Sequence, residues 1–170
     1  NLSSPNTPGL RSLQGGEELT GLVRTLRARS DELQAESGRS VPLMVKIAPD
    51  LDDDAIRWLV GALQEAGIDG ITASNTTIDH SAVEGARHAD EAGGLSGRPL
   101  RDRATEVVAR VREQGGPNLP IIAIGGIMSG ADAVEKIQAG ADLVQIYTGL
   151  IYEGPALVRH AARSIRDQCD

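Results

Sequence analysis

Apolar residues recur along this chain at two alternating spacings. Residues 17–37 carry leucines and valines at helical spacing behind two glycines, which predicts a first helix. Residues 41–48 form a short apolar run that ends at Pro49, as expected of a strand buried on both faces. Acidic residues at 50–54 then favour a helix start, and apolar positions follow at the spacing of an inner helical stripe. The pattern predicts strands that alternate with helices.

The alternation continues to the end of the chain. The further predicted elements are a strand at 71–74, a helix at 102–113, a strand at 120–124, a helix at 130–139, a strand at 143–147 and a helix at 155–167. They amount to four strand-and-helix units, the first lacking most of its strand, with no linker rich in Pro, Gly or Ser between them. This order predicts an α/β fold with a parallel sheet and helical crossovers.

Four such units are half of an eightfold barrel. A complete (β/α)8 barrel takes about 250 residues, so four units in 170 residues cannot close one alone. Either the sheet is open and doubly wound, or the other strands lie outside this sequence. The chain begins at Asn1 without an initiator methionine and with a loop-like sequence, which favours a fragment.

Composition narrows the classes of partner. Forty per cent of residues are hydrophobic, enough for one core, and the net charge of -7 leaves no broad basic surface for nucleic acid. No apolar run approaches the roughly 18 residues that span a bilayer, so these residues are expected to be soluble. The lone Cys169 excludes an intrachain disulfide, and the three histidines share no ligand spacing, so we assign no metal.

Two glycine-containing turns follow the last two predicted strands, at residues 125–127 and 147–149. Glycine lets a backbone approach an anion closely, and in barrels a cofactor phosphate commonly lies at the loops after the final two strands. Either turn alone could be no more than a tight turn. The pair at consecutive strand ends favours a phosphate site.

Lys46 interrupts an apolar strand and is one of only two lysines in the chain. A buried ammonium needs an anionic partner, such as a flavin that becomes negative on reduction. The alternative is a lysine at a sheet edge whose ammonium reaches water.

Three of the four asparagines fall in loops that follow, or would follow, a strand: Asn1, Asn6 and Asn75. Amides suit a small planar ligand that presents both donors and acceptors, although a single asparagine in a turn is usually turn chemistry. The polar segment 75–98 far exceeds an ordinary connection of about 2 to 6 residues. We interpret residues 77–94 of this segment as a loop near the site that moves little and helps to shape the pocket, with a solvated insertion as the alternative.

Several stretches in register resemble the class 2, quinone-dependent dihydroorotate dehydrogenases. They are residues 1–11 (NLSSPNTPGLR), 45–50 (VKIAPD), 74–77 (SNTT), 93–100 (GGLSGRPL), 124–126 (IGG) and 143–147 (LVQIY). The resemblance covers essentially the whole chain. It implies residues 1–170 to be the C-terminal half of a single FMN-binding TIM barrel, with the N-terminal half outside this sequence.

The resemblance also assigns roles to individual residues. It implies FMN contacts from Lys46, Ser74, Gly97, Gly126, Tyr147 and Thr148, and substrate contacts from Asn1, Asn6, Asn75 and Thr76. Ser74 departs slightly from the family pattern, in which threonine is common. Ser4 matches the catalytic base, and because the soluble class has cysteine there, Ser4 points to the quinone-linked class.

The activity implied is oxidation of dihydroorotate to orotate in pyrimidine biosynthesis, with FMN as hydride acceptor and a quinone as final acceptor. The resemblance further implies peripheral attachment to the cytoplasmic side of the inner membrane through an N-terminal segment that is not among these residues. Two rival interpretations are another FMN barrel oxidoreductase and a non-redox barrel isomerase or synthase that binds a substrate phosphate.

Overall fold

Four short parallel strands form one sheet in this computed structural model, which describes residues 3–4 and 16–169. The strands are β1 (Met44–Ile47), β2 (Gly70–Ala73), β3 (Ile121–Ile124) and β4 (Leu143–Gln145), hydrogen-bonded in chain order. Because all pairs are parallel, the carboxyl ends of the strands meet at one edge. The predicted α/β class and parallel sheet are confirmed.

Six α-helices and two short 3-10 turns, at Ser81–Val83 and Arg98–Leu100, accompany these strands in the described part of the chain. The α-helices are α1 (Glu17–Ser37), α2 (Asp53–Glu65), α3 (Arg101–Gly115), α4 (Gly130–Gln138), α5 (Thr148–Glu153) and α6 (Ala156–Cys169). Asp52 begins α2 by accepting a hydrogen bond from the Ala55 amide at 2.8 Å, and Ser129 caps α4 in the same way. None of the described helices combines the length and the apolar composition needed to cross a bilayer.

The main core lies between the sheet and the helices α1, α2 and α3. All four residues of β2 are buried, as expected of an inner strand covered on both faces. The predicted inner stripe of α2 is confirmed, since Ile56, Leu59, Val60 and Leu63 are all buried. Burial of each such side chain contributes about 1.5 to 3 kcal/mol of hydrophobic free energy.

Some predicted boundaries were wrong. The strand predicted at 41–48 is only Met44–Ile47, and Val41 is exposed. The strand predicted at 143–147 ends at Gln145, and where only a turn was expected the chain forms helix α5. The count of four units is right, but each of them has its strand. The helix with no described strand of its own is α1, which precedes them.

The segment 75–98 folds back on itself. Thr77 and Leu95 form an antiparallel bridge, with N···O distances of 3.1 and 2.8 Å. The ring nitrogens of His80 lie 2.9 and 3.2 Å from the carbonyl oxygens of Ala89 and Gly93. These contacts hold the segment together, so its two ends lie side by side between β2 and α3.

Candidate functional site

A cavity of about 410 Å³ lies at the carboxyl ends of the four strands. Side chains and backbone from every strand end line it. Its lining includes eight residues implicated from the sequence: Lys46, Ser74, Asn75, Thr76, Gly97, Gly126, Tyr147 and Thr148. The parallel sheet therefore gathers into one place residues that lie up to about a hundred positions apart in the chain.

The glycine turn after β3 packs too closely for any side chain. Gly126 has φ of 73°, and a Cβ atom there would lie 2.2 Å from Arg101 Cα. A Cβ atom on Gly149, after β4, would lie 2.1 Å from the carbonyl oxygen of Ile127. The two turns thus pack against their neighbours through bare backbone, which brings the strand ends together at the cavity.

The backbone amides of this turn are available to a ligand. Within the described residues, neither Gly126 nor Ile127 donates a backbone hydrogen bond, and both line the cavity. Unpaired amides beside a cavity suit a phosphate or another anion. The predicted phosphate turn is therefore compatible with the geometry.

Lys46 contributes the positive charge of the cavity wall. Its side chain is partly buried, and desolvation lowers its pKa. No carboxylate of the described residues lies within ion-pair distance of its ammonium, although the chain carries an excess of acidic residues. A desolvated, unpaired cation facing a cavity fits an anionic ligand.

Both the oxygen and the nitrogen of the Asn75 side-chain amide are hydrogen-bonded. The Thr76 amide donates to Asn75 Oδ1 at 2.9 Å, and Asn75 Nδ2 donates to the carbonyl and hydroxyl oxygens of Ser3 at 2.8 and 3.0 Å. Ser3 is fully buried. In this structure the amide expected to contact substrate therefore also binds the chain next to Ser4.

Ser4 lies beside the cavity without being among its lining residues. It is partly buried and follows Ser3, which is hydrogen-bonded to the strand end of β2. Asn1 and Asn6, expected to contact substrate, lie outside the described residues. Their roles stay predictions.

The end of segment 75–98 forms another wall of the cavity. Thr148 Oγ1 donates to Ser96 Oγ at 3.0 Å, and a Cβ atom on Gly97 would lie 3.0 Å from Thr148 Cγ2. Ser96 and Gly97, at the end of the segment, therefore help to shape the pocket, whereas no residue of 77–94, the part expected to do so, is among the lining residues. Among the lining residues, Ser96, Leu100, Gln145 and Ile146 were not predicted, although all four stand inside stretches that carry the resemblance, at 93–100 and 143–147.

A second polar cluster lies behind the glycine turn, between α3 and α4. Lys136 is fully buried, and its ammonium donates to the Arg101 carbonyl oxygen at 2.6 Å and to the Thr105 hydroxyl. Burial lowers the pKa of Lys136 to about 8, against the attraction of Glu135 and Asp132. This cluster fixes the first turn of α3, against which Gly126 packs.

Asp132 completes the cluster as a buried carboxylate. Burial opposes its ionisation, but hydrogen bonds from Ser129, Met128 and Arg101 outweigh burial and lower its pKa. The Ser129 hydroxyl lies 2.8 Å from Asp132 Oδ2, and Arg101 Nη1 lies 3.3 Å from Oδ1. The cluster is therefore internally satisfied and lies outside the cavity lining.

Unpaired amides, a lysine and polar strand-end residues at the carboxyl edge of a parallel α/β sheet define an anion-binding site of the kind found in barrel enzymes. The chain belongs to the dihydroorotate dehydrogenase family, whose sequence model matches residues 1–168.

Bacterial relatives of high identity carry the name dihydroorotate dehydrogenase (quinone). The chain is 55% identical over 165 residues to the protein of Vibrio parahaemolyticus serotype O3:K6, covering 97% of this chain and 49% of that protein. It is 54% identical over 167 residues to the protein of Acidovorax sp. strain JS42, covering 98% and 48%. The chain thus spans about half the length of the curated relatives it matches.

Solved structures of the same family share the fold. The dihydroorotate dehydrogenase of Eimeria tenella in complex with ferulenol superimposes with a TM-score of 0.91 at 37% identity, covering 98% of this chain and 48% of that one. The ligand-free protein from the same organism gives 0.88 at 38% identity, covering 98% and 50%. The expected partial barrel is confirmed.

Proposed function

We propose that this chain is the C-terminal half of the barrel domain of a quinone-dependent dihydroorotate dehydrogenase. The whole protein oxidises dihydroorotate to orotate in de novo pyrimidine biosynthesis, with FMN as hydride acceptor and a quinone as final acceptor. The observation that carries this proposal is that one cavity gathers eight of the residues implicated by the resemblance. Family membership and the name shared by its bacterial relatives support it.

The residues of the cavity fit FMN. The Gly126 turn and the start of α5 at Thr148 offer backbone amides for the phosphate, and Lys46 supplies the one lysine ammonium among the lining residues. Ser74, Gly97 and Tyr147 complete this set, and Ser74 keeps the hydroxyl that the family pattern has as threonine. When bound, FMN supplies a ring that accepts a hydride.

Ser4 acts as the base in this proposal. Oxidation removes a proton from C5 of dihydroorotate and a hydride from C6, and the Ser4 hydroxyl receives the proton. A serine hydroxyl is a weak base, so it must release its own proton as it accepts one, through Thr7 or a water. Lys46 stabilises the negative charge that develops at the hydride acceptor, and Asn1, Asn6, Asn75 and Thr76 hold the substrate.

The quinone and membrane assignments rest on relatives and on one residue. The relatives' name includes quinone, and serine at position 4 distinguishes the quinone-linked class from the soluble class with cysteine. We place the whole protein peripherally at the cytoplasmic side of the inner membrane. In this proposal the residues that contact membrane and quinone belong to an N-terminal segment that is not among these 170 residues.

Anaerobic titration of the purified full-length protein tests the function. We expect flavin absorbance in the isolated protein, bleaching of that absorbance by dihydroorotate, and its return when a soluble quinone is added. A colourless protein would instead support a phosphate-binding isomerase or synthase. A flavin that dihydroorotate leaves oxidised would indicate a different flavin oxidoreductase.

A further inference from the structure

Ser3 is a fully buried polar residue next to the candidate base, and the mechanism gives it no role. Its relative exposure is 0%, and both its carbonyl and hydroxyl oxygens accept hydrogen bonds from Asn75 Nδ2, at 2.8 and 3.0 Å. The two residues lie 72 positions apart. The contact therefore joins the segment around Ser4 to the sheet.

The orientation of the Asn75 amide is fixed by groups that can act in only one way. The Thr76 N–H can only donate, so the atom it contacts at 2.9 Å must be the acceptor, Oδ1. The Ser3 carbonyl can only accept, so the atom it contacts must be the donor, Nδ2. A flipped amide would lose both bonds, so Ser3 meets a donor of fixed direction.

Asn75 is also a rigid anchor. Its backbone N–H donates to the carbonyl oxygen of Ile47, the last residue of β1, at 2.8 Å. The preceding amide, of Ser74, donates to the carbonyl oxygen of Ile124, the last residue of β3, at 2.9 Å. Neighbouring strands on both sides therefore hold the residue that holds Ser3.

We propose that Ser3 is a positioning residue, which seats the segment carrying Ser4 at the carboxyl end of β2 through its two contacts with Asn75. Since consecutive Cα atoms are about 3.8 Å apart, a fixed Ser3 restricts Ser4 to the rim of the cavity. The chemical role of Ser4 rests on the proposed function. The seating does not, because it involves only groups of this chain.

The test measures how often the segment that carries position 4 detaches from Asn75. In the full-length protein with Ser4→Cys as reporter, the rate of iodoacetamide alkylation is followed by mass spectrometry of the peptide that carries position 4. Adding Ser3→Ala removes the hydroxyl contact and keeps the carbonyl contact. A lost neutral hydrogen bond shifts such an equilibrium by about 3- to 10-fold, so we expect alkylation to accelerate by about that factor.

Two further variants separate positioning from general loosening. Ser3→Thr retains a hydroxyl and should restore slow alkylation, and the midpoint of thermal unfolding should stay constant across the series. Asn75→Asp cannot donate and should accelerate alkylation by about 10-fold or more, after which Ser3→Ala should add nothing. An acceleration of less than about threefold by Ser3→Ala, or an undiminished effect of Ser3→Ala in the Asn75→Asp background, would overturn the proposal.

Failure of the positioning role is distinguishable from failure of the enzymatic function. Alkylation needs neither dihydroorotate nor a quinone, so it reports the seating even in a protein whose flavin does not respond to dihydroorotate. Conversely, rapid bleaching by dihydroorotate together with alkylation that ignores Ser3 would retain the function and remove the role of Ser3.

Discussion

The two lysines of this chain lie in regions that differ in whether the protein itself supplies partners for the positive charge. Lys46 lines the cavity, partly buried, with no carboxylate of the described residues in ion-pair distance. Lys136 is fully buried behind the glycine turn and donates to Arg101 and Thr105. Burial lowers the pKa of both. The charge of Lys46 therefore lacks an anionic partner among the described residues, whereas the charge of Lys136 is hydrogen-bonded within the protein.

From this difference we infer that Lys46 belongs to a region that binds a ligand and that Lys136 belongs to a region that supports the fold. A desolvated cation without a protein partner costs stability, and it is expected where a ligand supplies the missing charge. A cation satisfied by backbone and hydroxyl oxygens instead fixes the helices that carry it. We therefore expect replacement of Lys46 to affect chemistry and replacement of Lys136 to affect folding.

Lys46→Met should have the largest effect on activity. Removing the positive charge that stabilises the developing negative charge should slow flavin reduction in the full-length protein by about 100- to 1000-fold. FMN should remain bound through the glycine turns, and the free energy of unfolding should not fall. Stopped-flow reduction by dihydroorotate measures the rate, with Lys136→Met as the matched control that stays within about threefold of the parent. Equal slowing of flavin reduction by Lys46→Met and Lys136→Met would contradict the proposed difference between the two lysines.

Lys136→Met should instead change how stability depends on pH. The folded-state pKa is about 8 against an ordinary 10.5, so the unfolded chain binds this proton more tightly. The free energy of unfolding should therefore rise between pH 8 and 10.5, by on the order of 3 kcal/mol from this group, and not change with it below pH 8. Urea denaturation across this range should show the rise in the parent and its loss in the variant.

Thr105→Val should produce the smallest change. It removes the hydroxyl that accepts from Lys136 while keeping the volume of the side chain, so among the described residues the ammonium keeps one hydrogen-bond acceptor, the Arg101 carbonyl oxygen at 2.6 Å. We expect the free energy of unfolding to fall by about 2 kcal/mol at pH 7, and flavin reduction to keep its parental rate. A fall in the rate of flavin reduction beyond what the loss of folded protein explains would show that the cluster belongs to the site.

The position of Lys46 at the cavity could be predicted from the sequence, and the burial of Lys136 could not. A lysine inside an apolar strand conflicts with its neighbours, and the conflict is visible in the chain itself. Lys136 stands between Glu135 and Ile137 on a helix, where a lysine is ordinarily exposed. Its burial arises because α3 packs over α4, and its partner Thr105 lies 31 positions away.

The same limit applies to the fold. Strand positions could be predicted because buried strands are continuous apolar runs, as at Ile121–Ile124. Helix α5 has six residues, too few for a helical period to show, so it was expected to be a turn. The burial of Ser3 depends on an asparagine 72 positions away, and nothing local to Ser3 indicates it.

The central claim is that the strand ends form one site in which Ser4 reaches a substrate held over a flavin. Comparison of the full-length parent with Ser4→Ala, by rapid mixing with dihydroorotate under anaerobic conditions, tests it most directly. We expect flavin reduction in Ser4→Ala to be slower by about 100-fold or more, with FMN retained at full occupancy. Reduction of the Ser4→Ala flavin at the parental rate would contradict it.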